Sequence, residues 1–152
     1  MTTMRPSALP SISPIQPRCT SAVEPVPPQA VYLAVPESVG PARRYVREAA
    51  TYQEPSIGED VLDTLELLAS ELVTNAVRYG SEPGDSFKVA VAAEPGKCRV
   101  EVHDTRRRTP RLRPVSDQRV RGRGLHLVEA LASRWGVVER PFGKVVWVVV
   151  TW

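Results

Sequence analysis

The sequence predicts an α+β fold, a two-layer sandwich of a mixed, mainly antiparallel sheet with helices on one face. Two patterns predict this fold. Between Val61 and Val77, apolar residues recur every three or four positions, which is the spacing of a helix that buries one side. Between Cys98 and His103, polar side chains alternate with valine, as in a strand with one wet face. Short turn sequences such as Pro95-Gly96 should join the strands.

The amino-terminal segment, residues 1–29, is expected to be a disordered leader. Prolines interrupt it repeatedly, with serine and threonine between them, so it can neither propagate a helix nor fill a strand ladder. We therefore place one folded domain at residues 30–152, which is long enough to bury a real core.

The folded domain should begin with a short strand at Val31–Val35, followed by two helices. Ser38 is placed to cap a helix from about Val39 to Tyr52. The long helix from Val61 comes next, and Gly80 is its expected stop because glycine commonly ends helices.

The second half of the chain should supply the rest of the sheet. Four strands are expected in two hairpins, Ser86–Ala93 with Cys98–His103 and Gly136–Glu139 with Lys144–Thr151. Between the hairpins, Asp104 to Arg121 has no periodicity and is interpreted as an irregular arm, and a helix should run from Leu125 to Arg134.

Composition excludes several classes of function. The 20 basic and 17 acidic residues give a net charge of +3, which does not by itself predict a nucleic-acid binder. The two cysteines are too few for a disulfide framework, and both histidines stand alone, which argues against a zinc site. No apolar run has membrane-spanning length, and no secretory signal is present. We expect a soluble cytoplasmic protein.

The long helix carries a candidate catalytic pair, Glu71 and Asn75. Four residues apart, they lie on the same helix face one turn from each other. The Asn75 amide oxygen could ligate Mg²⁺, and the Glu71 carboxylate could accept a proton from a hydroxyl or water. The alternative is that both are ordinary solvated helix residues. Taken by itself the pair favours this alternative, because Glu-x-x-x-Asn often occurs by chance.

Asp104 stands where a strand leaves the sheet. A carboxylate there could accept a hydrogen bond from the exocyclic amine of adenine, worth roughly 1.5–3 kcal/mol. It would then prefer adenine to guanine, which presents a carbonyl at that position. The alternative is a strand-end aspartate that serves a turn.

Gly122-Arg123-Gly124 stands at a predicted helix start. Glycines there let backbone amides approach phosphate oxygens at the positive end of the helix dipole, although one Gly-x-Gly is a weak signal.

The arm before that glycine pair is strongly basic. Eight arginines lie between Asp104 and Gly124, seven in the arm and one between the glycines: Arg106, Arg107, Arg108, Arg111, Arg113, Arg119, Arg121 and Arg123. The arm could be a lid that closes over polyphosphate, a basic arm that binds nucleic acid or an acidic partner, or a simple solvated loop.

The order of these features resembles the ATP-binding fold shared by histidine kinases, gyrase and mismatch-repair ATPases, the Bergerat-type or GHKL fold. It looks most like the small bacterial branch of anti-sigma factor serine/threonine kinases and stand-alone regulatory ATPases. Four segments carry the resemblance: Glu71–Ala76 as the N box, Gly122–Val128 as the second glycine box, Val39–Arg44 and Trp135–Val137. The similarity extends from about Val31 to Trp152.

The resemblance implies ATP and Mg²⁺ as cofactors and assigns roles to residues. Asn75 would coordinate Mg²⁺, Glu71 would be the general base, and Asp104 would bind adenine. The implied nucleotide-binding residues are Asn75, Asp104, Arg108, Gly122, Arg123, Gly124 and Leu125.

The resemblance also implies a function and partners. The protein would transfer the ATP γ-phosphate to a serine or threonine of an anti-anti-sigma (STAS-like) antagonist, and it would bind a sigma factor to regulate transcription. It allows a homodimer, involves no membrane and disfavours nucleic acid as a partner.

Two departures from the family pattern keep a second hypothesis open. Arg106 stands where the first glycine box usually has glycine, and Val145 stands where a threonine usually assists the adenine-binding aspartate. A catalytically weak or inactive nucleotide-binding module could instead regulate transcription by protein–protein contact. Nucleic-acid binding by the basic arm ranks last.

Overall fold

The structure, a computed structural model, describes residues 26–104 and 126–152. Its regular elements, in chain order, are β1 (Gln29–Leu33), a 3₁₀ turn (Pro36–Ser38), α1 (Val39–Gln53), α2 (Glu59–Tyr79), β2 (Ser86–Glu94), β3 (Lys97–Asp104), β4 (Arg134–Arg140) and β5 (Gly143–Thr151). Residues 126–131 are also helical. None of the helices in these two ranges is long and apolar enough to cross a membrane.

The five described strands form one sheet in the order β1-β2-β3-β5-β4. All four strand pairings are antiparallel, so the expected mixed, mainly antiparallel sheet is entirely antiparallel in the described part of the chain. Helix α1 packs against β2, and α2 packs against β3 and β5. The α+β architecture with helices on one face is therefore confirmed.

The core lies between the two layers. Phe87, Val89 and Val91 of β2 alternate with more polar residues and are fully buried. Leu65 and Leu68 of α2 are also fully buried in the same cluster. Burying each of these leucines contributes about 1.5–3 kcal/mol to stability. The core is thus formed by the apolar stripe of the helix and the inward-facing residues of the strand.

The other side of the sheet, called the open face below, is covered by no described helix. Trp147 of β5 lies on this face opposite Gly136 of β4. A Cβ atom on Gly136 would be 2.7 Å from the Trp147 ring, so glycine is needed for the ring to lie there. The Arg99 guanidinium stacks over the same ring, 4.2 Å from its centroid.

The first strand begins and ends earlier than expected. Strand β1 is Gln29–Leu33 and not Val31–Val35, because the 3₁₀ turn Pro36–Ser38 follows closely. Ser38 occupies the N-cap position of α1 but makes no side-chain capping hydrogen bond. The expected cap is therefore wrong: the turn holds Ser38 in a helical conformation (φ −78°, ψ −15°), whereas a capping serine is normally extended.

The helix before β4 ends earlier than Arg134. The Ala132 N–H makes the last helical bond, to the Val128 carbonyl, and the Ser133 N–H already donates to Val149 of β5 at 2.8 Å. Arg134 is thus the first residue of β4, and pairing with β5 ends the helix. The predicted hairpins are otherwise confirmed, with each strand one to three residues longer than expected.

Candidate functional site

A cleft of about 350 Å³ lies between α2 and the helix-covered face of the sheet, within the usual size range of small-molecule sites. Its walls are mainly apolar and come from α2, β3, β4 and β5. The apolar and aromatic lining residues are Leu72, Ala76, Tyr79, Val102, Trp135, Val137 and Val146. The polar lining residues are Asn75, Asp104, Glu139 and Lys144. Such a cavity suits a flat apolar ring system with a few polar groups.

Helix α2 places Asn75 in the cleft. Leu72, Asn75, Ala76 and Tyr79 all line it, which is the three-and-four spacing of one helix face. Glu71 lies one turn before Asn75 and is partly buried, but it is not among the cleft-lining residues. The expected pair thus shares a helix face, with the amide inside the cleft and the carboxylate beside it.

Strand β3 ends in the cleft with Asp104. Among the described residues it is the one buried charged side chain, with 8% of its surface exposed. Its Oδ1 atom accepts a hydrogen bond from the Lys144 backbone N–H at 3.2 Å. Asp104 and Asn75, far apart in sequence, are therefore brought into the same cavity from opposite layers.

Two glycines make room for the Asp104 carboxylate. A Cβ atom on Gly80 would be 2.6 Å from Oδ2, and one on Gly143 would be 2.6 Å from Oδ1. Gly143 also has φ +141°, which side-chain-bearing residues rarely adopt. Gly80 ends α2 as expected, but with φ −102°, so space for Asp104 explains this glycine better than a left-handed cap does.

Val145, which stands where the family pattern has threonine, lies away from the cleft. It pairs with His103, is 2% exposed, and borders the open face. Asp104 is held from strand β5 by the Lys144 backbone instead. The absence of a hydroxyl at position 145 therefore does not leave Asp104 without a donor from this strand.

The sequence reasoning missed several cleft residues. Trp135, which was identified from the sequence only as part of the family resemblance, packs against the core and also lines the cleft. Trp135, Val137 and Glu139 are alternate residues of β4, so one face of that strand forms a wall. The alternation of these residues along the sequence could have identified this wall. The predicted strand, however, began at Gly136 and so left Trp135 out.

The remaining predicted site residues lie outside the described residues. They are Arg108, Gly122, Arg123, Gly124 and Leu125, together with Arg106 and the rest of the basic arm. The phosphate-binding glycines and the arginine lid stay predictions.

The described residues include no cluster of three or more His, Cys, Asp or Glu side chains that could hold a metal ion. Magnesium at phosphate sites commonly takes one or two protein oxygens, with the phosphates and water supplying the rest. Asn75 lines the cleft, and its amide oxygen could supply one such ligand.

Comparison with known proteins is consistent with this cleft. The sequence model of the histidine kinase-like ATPase domain matches residues 32–150, and the chain belongs to this family. Membership supports a regulatory ATP-binding function. No curated protein matched the chain.

Two solved structures have a similar fold. The histidine kinase domain of the blue-light activated histidine kinase EL346 from Erythrobacter litoralis is 18% identical, with a TM-score of 0.45 over 74% of this chain. The chain spans 60% of that domain's length. The mycobacterial sensor histidine kinase MprB is also 18% identical, with a TM-score of 0.46 over 83% of this chain and 97% of its own.

Proposed function

We propose that the protein binds ATP with Mg²⁺ in this cleft and acts as an anti-sigma factor kinase, transferring the γ-phosphate to a serine or threonine of a STAS-like antagonist. The observation that carries the proposal is that Asn75 and Asp104 line one apolar-walled cleft from opposite layers.

Each described residue would have a distinct role. Leu72, Val102 and Val146 would hold the adenine ring, and the Asp104 carboxylate would accept a hydrogen bond from its exocyclic amine. Asn75 would hold Mg²⁺, which neutralises phosphate charge when bound. Glu71, one turn from Asn75, would accept the proton of the attacking hydroxyl.

Calorimetric titration with ATP, ADP and GTP, with and without Mg²⁺, tests the binding part. We expect ATP and ADP to bind and GTP to bind much more weakly. Asp104→Asn should weaken ATP binding roughly 10- to 150-fold, the equivalent of about 1.5–3 kcal/mol. Asp63→Asn is the matched control, since that carboxylate lies on the solvent side of α2 with 71% of its side chain exposed. Equal effects of the two substitutions would remove Asp104 from the adenine site.

Phosphotransfer is tested separately with γ-labelled ATP and a purified STAS-like antagonist. Glu71→Gln should abolish transfer while ATP affinity stays unchanged, because Glu71 is not a lining residue of the cleft. Asn75→Ala should remove the magnesium dependence of ATP affinity. Transfer that persists in Glu71→Gln would show that another group accepts the proton.

A second candidate is a nucleotide-binding module that regulates through protein contact without phosphotransfer. One observation favours it: Glu71 is not a lining residue of the cleft. Under this hypothesis the titrations would show ATP binding, and no label would reach the antagonist.

A further inference from the structure

The open face of the sheet carries a second cavity, which shares the lining residues Asp104 and Lys144 with the proposed nucleotide site. It has a volume of about 760 Å³ and is bordered by Val31, Lys88, His103, Arg140, Phe142 and Val145. The strand register places Val31, Lys88, His103 and Val145 in one row across β1, β2, β3 and β5. This cavity, called the open-face groove below, thus crosses four strands and ends at the β4–β5 turn.

Apolar side chains around the groove are left in contact with solvent. Phe142 is 77% exposed, Val31 65%, Leu33 61% and Val138 47%. All four lie on or beside the open face, where no described helix covers them. Exposed apolar side chains that border a groove are typical of an interaction surface.

Three of the four lysine, arginine and acidic residues that border the groove are cationic, namely Lys88, Arg140 and Lys144. Lys88 and Arg140 border it, and neither forms an ion pair with a carboxylate in the described ranges. Burial lowers the pKa of His103, and the charges of Lys88 and Arg140 lower it further, while Glu101 raises it. The charge pattern therefore attracts anions.

Two carboxylates lie nearby, and both are engaged. Asp104 also borders the groove, but its carboxylate accepts the Lys144 N–H and lies against Gly80 on the helix side. Glu101 precedes His103 on the open face; its oxygens accept from Arg99 at 2.7 Å and contact the His103 ring at 2.8 Å. A ligand in the groove would meet Lys88 and Arg140 first.

Three kinds of occupant are possible: a second copy of the chain, the amino-terminal leader or a segment of another protein. The charge of the groove distinguishes among them. A second copy docked groove to groove would bring Lys88 and Arg140 against their own counterparts. The leader is cationic as well, with Arg5 and Arg18 against one acid, Glu24, in residues 1–25. Neither complements the groove, whereas an acidic segment of another protein does.

We propose that the open-face groove docks a partner protein through an acidic segment that carries at least one large apolar side chain. The segment's carboxylates pair with Lys88 and Arg140, and its apolar side chain packs against Phe142, at the end of the groove formed by the β4–β5 turn. The groove crosses three inter-strand spacings, or about 14 Å, which about four to five extended residues span.

The test uses the full chain, labelled with ¹⁵N, and a defined probe without any nucleotide present. The probe is the synthetic peptide Asp-Glu-Leu-Asp-Phe-Glu-Asp, and its control has serine in place of leucine and phenylalanine. We expect the probe to shift the backbone amide signals of Lys88, His103, Phe142 and Val145. The serine peptide should bind at least about tenfold more weakly, because only the apolar contact is lost.

Variants then assign the binding to the groove. The double variant Lys88→Glu/Arg140→Glu should weaken probe binding at least about tenfold, and Phe142→Ser should weaken it as well. Lys97→Glu is the matched control, since that lysine lies at the far end of β3 with 51% of its side chain exposed, and it should bind within about twofold of the parent. Because all these side chains are on the surface, unchanged melting temperatures will show that the variants fold.

Three results would overturn the proposal. Signals that shift only in residues 105–125 would mean simple charge attraction to the basic arm. Unchanged probe affinity in Lys88→Glu/Arg140→Glu would remove the groove from binding. A concentration-dependent dimer that broadens the groove signals would make a second copy the occupant. Since no nucleotide is used, none of these results bears on ATP binding.

Discussion

Replacing Gly80 by alanine should destabilise the domain and weaken nucleotide binding together. The added methyl carbon would lie 2.6 Å from Asp104 Oδ2 and 2.9 Å from the Ala76 carbonyl oxygen. Both distances are shorter than a real Cβ atom tolerates, and the carbonyl belongs to the helix backbone. Because Gly80 has φ −102°, alanine can adopt its backbone conformation, and the cost is one of space alone.

The magnitude follows from what must move. Forcing an extra methyl group into a packed site costs about 1–3 kcal/mol. For a domain of this size that corresponds to a melting temperature lower by about 4–12 °C. If the Asp104 carboxylate turns away to relieve the contact, the hydrogen bond proposed between it and adenine is lost, and ATP affinity should fall roughly tenfold or more.

Thermal and urea unfolding measure the first effect, and calorimetric titration with ATP measures the second. Gly40→Ala is the matched control, because a Cβ on Gly40 would have Arg44 Nη1 as its nearest neighbour, at an ordinary 3.8 Å. Alanine within α1 should even stabilise the protein by up to about 1 kcal/mol. If Gly80→Ala has the same melting temperature as Gly40→Ala and binds ATP as tightly as the parent, the close contacts around Asp104 do not affect stability or binding, and the prediction is wrong.

Three further predictions concern buried groups of the sheet. Cys98 is fully buried, and burial raises its pKa to about 12. In a Cys19→Ser background, an alkylating reagent at pH 8 should therefore modify Cys98 only after unfolding. Rapid labelling of the native protein would contradict this. Gly136→Ala should lower the free energy of unfolding by about 1–3 kcal/mol through contact with the Trp147 ring, and adding Trp147→Val should recover part of that loss in urea titrations. Burial lowers the pKa of His103, so the unfolded chain binds its proton more readily. Stability should therefore fall as the pH drops through about 6.5, and less steeply in His103→Gln; identical slopes in both proteins would be the contrary result.

Features set by local sequence were predictable, and features set by register were not. The period that buries Leu65 and Leu68 also places Asn75 at the edge of the buried stripe, and both follow from the helix repeat alone. Asp104 was identified because the alternation of β3 ends there. Ser38 makes no capping hydrogen bond because it is the last residue of a 3₁₀ turn, which holds it in a helical conformation.

The rest of the cleft depends on contacts between distant segments. Trp135 and Lys144 line it because β4 pairs with β5 and β5 pairs with β3 in one particular register. A shift of one residue would send each side chain to the opposite face, and the sequence contains no local signal for that choice. The role of Gly80 was hidden for the same reason, since only the fold brings the end of α2 against Asp104.

The placement of Trp135 and Trp147 on opposite faces of one sheet gives the protein two native optical reporters. Trp135 lines the cleft. Trp147 lies on the open face, beneath Arg99 and opposite Gly136. Indole emission responds to its immediate surroundings, so each ring senses events on its own side. Quenching that disappears in a Trp135→Phe protein reports the cleft, and quenching that persists there originates elsewhere, without any dye attached to the chain.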